Sequence, residues 1–320
     1  MIYVNLRLFG AFMIELLKST RAKRIYFLAS LSLAVLCAIL RTLSTIFFFE
    51  ADVGYYKSGA LLPILLNILL VLCAVCAAAF CLIPGVSRIF AKPEDTKAVR
   101  ACAVFAALGF LAFFANNLRD FDLVWETIKV LGFIPKKFVI RTLLALLSAV
   151  FFLLIAFCKN LRGGIRIGGV VITLVWTVLT ISDSYFDVYM AMNSPVKLTL
   201  HAALLGMLLL LVNEARVGIG SDKKAFSLFS STVTLIFATT SSIPSIISYL
   251  CGKLPDSYSN VYAYLFFDAV LLGIAVFSAA RLASLCFGTV ESETVESETV
   301  ETEEYVPYAD TQNTENDELS

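Results

Sequence analysis

Arg41, Asn67 and Asp268 are the residues of this 320-residue chain best placed to do chemistry, because each interrupts a long apolar run. In water their groups are ordinary. In hydrocarbon a lone charge costs roughly 2–3 kcal/mol on insertion scales, and such residues face a bundle interior, a partner or a solute path. Arg41 precedes Glu50 by nine residues, Asp268 follows Asn260 by eight and Asn67 follows Gly59 by eight. At about 1.5 Å of helical rise per residue, all three fall about 12–13 Å below one boundary. This spacing predicts a buried layer holding a cation, an acid and an amide. Two roles suit it: an Arg41–Asp268 pair pinning the first helix to the last, or a site handling a ligand or a proton.

Hydroxyls make the second pattern. Ser227, Ser231, Thr234, Ala238, Ser241, Ser245 and Ser248 recur at alternating steps of four and three, which places them on one helix face. Such a face permits close packing with interhelical hydrogen bonds, or it lines a path for a polar solute. Pro244 lies within it and removes one backbone hydrogen bond. Ala103, Ala106, Ala107, Gly109, Ala112 and Ala115 form a comparable small-residue set, and Ala269 with Gly273 forms a small pair directly after Asp268. The third helix is expected to be central too, and the small pair would let a crossing helix approach the acid closely.

Other chemistries find little to build on. The single histidine, His201, excludes multi-histidine metal sites, and no cofactor or metal is expected. Cys73-x-x-Cys76 lies deep in an apolar run, where small packing residues are the ordinary reading. No zinc-protease, serine-hydrolase, Walker or dinucleotide-binding motif occurs. No soluble segment is long enough for a nucleic-acid module, so no nucleic-acid partner is expected.

The elements that must carry these residues follow from composition. Apolar residues make up 59% of the chain and charged residues 16%, against roughly half and a quarter in soluble proteins. A spanning helix needs about 20 mostly apolar residues. Eight runs qualify or come close, at 25–49, 60–83, 101–118, 138–158, 168–181, 198–212, 225–250 and 261–286. The fifth and sixth are short and must recruit flanking residues. The expected fold is all-α, a polytopic bundle of about eight transmembrane helices in the lipid bilayer. Its parts are a basic amphipathic segment at 1–24 lying at the interface, the membrane domain at 25–288 and a disordered acidic tail at 289–320.

Charge orients the bundle. Eleven of the 25 acidic residues lie between Glu291 and Glu318, which leaves 14 against all 25 basic residues in 1–290. Of the Lys and Arg residues, sixteen fall on the side of the N-terminus and seven on the other, and Arg41 and Arg141 lie within spans. Cytoplasmic loops carry such an excess. The reading is a multi-pass protein of the cell membrane with both termini cytoplasmic. Arg141 is expected to snorkel, and 121–133 to form a short helix on the outer surface. The repeated Glu-Ser-Glu-Thr-Val of the tail cannot bury enough apolar surface to fold.

Three functional classes remain. A transporter-like or channel-like permease for a small polar solute draws on the hydroxyl stripe and the polar layer. A non-catalytic scaffold or sensor subunit with a membrane-protein partner needs only the packing faces. A membrane-embedded enzyme acting on a lipid-linked substrate would rest on Asp268.

Overall fold

Long apolar runs have no use for water, and the chain resolves all eight into helices. The computed structural model describes residues 20–50, 55–83, 89–119, 136–159, 161–186, 194–220, 223–252 and 261–288. The helices are α1 (Thr20–Phe48), α2 (Leu61–Leu82), α3 (Lys97–Arg119), α4 (Lys136–Phe157), α5 (Gly163–Tyr185), α6 (Pro195–Ile219), α7 (Lys224–Leu250) and α8 (Val261–Phe287). All eight are long and apolar enough to cross a membrane, so the chain is a multi-pass membrane protein. The interfacial segment expected at 1–17, the surface helix at 121–133 and the acidic tail at 289–320 lie outside the described residues.

The fifth and sixth spans recruit their flanks as expected, reaching 23 and 25 residues. The recruited residues include Arg166, Lys197 and Glu214, which are charged yet buried. A small element breaks the helical pattern. Phe49–Glu50 (β1) pairs antiparallel with Tyr55–Tyr56 (β2) in the connection between α1 and α2.

Six helices close a ring. Each of α3, α4, α5, α6, α7 and α8 packs on the next, and α8 returns to α3. α1 and α2 lie outside this ring, against α7 and against each other. The end where α1 begins and α8 finishes is here termed basal, and the opposite end distal. Aromatic side chains fill the ring interior. The Trp176 indole meets the rings of Phe110, Phe113 and Phe267 at centroid distances of 4.9, 5.4 and 5.9 Å, and Phe152 stacks on Phe110 at 5.7 Å. Such pairs add roughly 0.5–1.5 kcal/mol each beyond the area they bury.

A close crossing joins α3 to α8, through small residues singled out above. A Cβ on Gly109 would stand 2.6 Å from the Ala269 carbonyl oxygen, and one on Gly273 would stand 2.7 Å from that of Phe105. Backbone cannot move aside as a flexible side chain can. Gly109→Val or Gly273→Val should therefore cost at least the roughly 1–3 kcal/mol of ordinary overpacking. Gly168→Ala, where a Cβ meets nothing within 4 Å, should be neutral. Thermal stability of the purified variants in detergent checks this, with loss expected at 109 and 273 only.

Candidate functional site

Four charged side chains meet at the basal end of the helix ring. Arg166 stands three residues into α5, Glu214 five residues before the end of α6 and Arg281 six before the end of α8. Asp95 reaches in from the segment just before α3. Each carboxylate bridges both guanidiniums. Glu214 accepts from Arg281 Nε at 2.6 Å and Nη2 at 2.8 Å, and from Arg166 Nη2. Asp95 accepts from Arg166 Nη1 at 2.9 Å and Nη2 at 3.2 Å, and from Arg281 Nη2 at 2.6 Å. The Glu214 and Arg281 side chains are each 1% exposed, and those of Arg166 and Asp95 are 7% and 12% exposed.

Local sequence brings these groups together. The start of α5 and the end of α6 touch through Gly163 and Gly218, where neither helix presents a Cβ to the other. Arg281 Nη1 also donates to the Glu94 carbonyl at 2.9 Å, and Ala91 N–H donates to the Leu285 carbonyl at 3.0 Å. The segment before α3 is thus strapped across the end of α8. On the same helix end, Arg100 donates to the Ala156 and Phe157 carbonyls at 2.9 and 3.0 Å and satisfies the last turn of α4. Burial alone would raise the Asp95 carboxyl, but the Arg281 and Arg166 guanidiniums outweigh it and hold it below the ordinary carboxylate value.

This ring of charges was not legible as a site. Arg166 and Arg281 read as loop and boundary cations, and Glu214 falls just past the sixth apolar run. One clue existed: Glu214 stands only two residues beyond that run, with no basic residue on the same helix turn before it.

Of the three residues expected in a distal layer, Arg41 and Asp268 are buried, at 3% and 6% exposed, and Asn67 is exposed. The Ser245 hydroxyl and the Arg41 charge both act on the Asp268 carboxyl. Among the described residues no cation comes within ion-pair distance of Asp268. The hydroxyls following Arg41 are occupied by their own helix: Thr42 donates to the Ala38 carbonyl and Ser44 to the Leu40 carbonyl, each at 2.8 Å, and Thr45 to the Arg41 carbonyl at 2.9 Å. Asn67 departs from the expected layer. It lies on an exposed face of α2, because α2 turns Pro63, Leu66 and Leu70 toward its neighbours. Depth counting gives height along a helix but not azimuth. Arg141 is not a free snorkelling cation either; it pairs with Asp183 at 3.0 Å.

The α7 hydroxyls are mostly buried. Ser227, Ser231, Thr234, Ser241 and Ser248 are inside and Ser245 is half-buried. Ser227 donates to Asn213 Oδ1 at 2.6 Å, and Thr234 to the Gly206 carbonyl at 2.6 Å, so this part of the stripe joins α7 to α6. Ser245 donates within its helix to the Ser241 carbonyl at 3.1 Å. The Ser231 and Ser248 hydroxyls are buried with no hydrogen-bond partner among the described residues. Among the described residues no cluster of His, Cys, Asp or Glu could hold a metal ion. No protein-family model, curated protein or solved structure matches the chain.

Breaking a buried ion pair from one side strands the other charge, at roughly 3–5 kcal/mol. Glu214→Gln and Arg281→Gln should each cost about that much, and the double variant less than the sum because the sites share partners. The pH dependence has a definite sign. Asp95 has a lowered value in the fold, so its contribution is complete above the unfolded carboxylate range near 4 and is lost only as pH falls through its lower folded value. Melting temperature should therefore not fall on this account between pH 7 and pH 5, and Asp95→Asn should lower it throughout that interval.

Proposed function

We propose that this protein is a permease for a small polar solute, with Asp268 as the solute- or proton-handling group. The observation that carries this reading is a carboxyl buried inside a span, with a hydroxyl beside it and no ion pair among the described residues. A purely structural acid at such depth would be paired, as Glu214 is with two guanidiniums. The setting supports it further. Pro244 removes a backbone hydrogen bond one residue before Ser245, and proline in a spanning helix frees a carbonyl for other partners. The charge ring lies at one end of the helix ring, and a transport cycle closes one end at a time.

A second reading, a non-catalytic scaffold, has its own support. Ser227 and Thr234 spend their hydroxyls on helix packing, which a lined path would leave free. The readings separate in liposomes. Purified protein reconstituted with an internal pH dye should move protons when sugars, polyols or amino acids are added, and Asp268→Asn should abolish the signal while leaving the fold intact. Silence across such a panel, with Ser245→Cys unreactive to water-soluble thiol reagents, would favour the scaffold.

We place the protein in the cell membrane with the basal end cytoplasmic, on the excess of Lys and Arg at that end. In intact cells, cysteines at Lys57 and Lys253 should label from outside and those at Lys92 and Lys223 should not. The reverse pattern would invert the orientation.

A further inference from the structure

The spans contain three buried amides, Asn116, Asn117 and Asn213, and one exposed amide, Asn67. Asn117 Nδ2 donates to Thr142 at 2.9 Å, and Asn213 Oδ1 accepts from Ser227 at 2.6 Å. Among the described residues Asn67 has no hydrogen-bond partner. It stands six residues into the 22-residue α2, about 9 Å from its distal end by helical rise. A helix of that length matches the hydrocarbon thickness. An asparagine side chain has too few carbons to reach the headgroups from there, unlike a lysine.

The surroundings of Asn67 are a face that no other described residue covers. Ile64 and Val71, one turn to either side, are 51% and 64% exposed, and Leu65, Ile68 and Leu72 flank them at 58%, 59% and 54%. Further along the same line the residues shrink to Ala74 and Ala78. An amide in hydrocarbon carries donors and an acceptor together, and a second amide facing it satisfies both at once. A two-fold symmetric contact brings each residue near its own copy and supplies that amide.

We propose that α2 is a self-association surface, and that a second copy of this chain packs against it with the two Asn67 amides hydrogen-bonded across the contact. The seam runs through Ile64, Asn67 and Val71. The small residues beyond let the helices approach. A dimer formed this way leaves the six-helix ring of each copy untouched, since α2 lies outside it.

Two differently tagged full-length copies, co-expressed and solubilised, test this. The wild-type copies should copurify. Asn67→Leu should lower copurification at least tenfold without lowering abundance, because leucine suits a lipid-facing position, and Asn67→Gln should retain most of it. In a Cys76→Ala background, Ile64→Cys and Val71→Cys should each cross-link to a second copy under oxidation in membranes, and Leu66→Cys, on the buried face, should not. Wild-type copies that fail to copurify overturn the proposal. So does an Asn67→Leu protein that associates as well as wild type, or association that persists with no cross-link at 64 or 71. Asn67-dependent capture of a different protein, with no cross-link between copies, also overturns it and assigns the face to that partner.

Discussion

Glu214 is the group on which the basal end depends. It is a carboxylate carried inside a spanning helix, where an unpaired ion would be untenable. Its two guanidiniums come from α5 and α8, helices that pack only weakly or indirectly on one another, and both guanidiniums also hold Asp95. Four charges sum to zero, and each carboxylate sees two cations. A buried ion pair is tolerable when the remaining lone pairs and protons are also bonded. The cluster goes most of the way: Arg281 also reaches the Glu94 carbonyl, while Arg166 Nε is buried without a partner among the described residues. Through it the segment before α3, the start of α5 and the ends of α6 and α8 become one unit.

Above this ring the helices are held by shape rather than charge. α3 and α8 approach until glycine is the only residue that fits, at Gly109 and Gly273, and aromatic side chains fill the interior between α3, α4, α5 and α8. Hydrocarbon offers no hydrophobic drive between helices, so contact at backbone distance and interhelical hydrogen bonds supply the association. Thr234 and Gly206 show both at once, since the hydroxyl bonds the very carbonyl that the missing side chain exposes. Asp268 sits next to the α3–α8 crossing, at Ala269, and beside the proline-bearing stretch of α7. The Asp268 carboxyl therefore lies between a crossing at backbone distance and a helix lacking one backbone bond.

Eight spans, their order and the short-run recruitment in α5 and α6 were legible in the apolar runs, because hydrocarbon demands length and apolarity from every crossing. The small-residue faces of α3, α7 and α8 were legible as well, but that α3 and α8 turn theirs toward each other was not. What composition determined, then, was a membrane bundle and which helix faces were suited to close contact. Azimuth and partnership were decided only by tertiary packing. Asn67 and Asp268 count to similar depth, yet one faces outward and the other inward, because rotation about a helix axis is set by neighbours distant in sequence. Arg166, Glu214, Arg281 and Asp95 are spread over 187 positions, and each taken singly resembles a charge at a span boundary. Pair energies depend on distance in space, which local sequence does not encode, so only the fold could make those four residues one site.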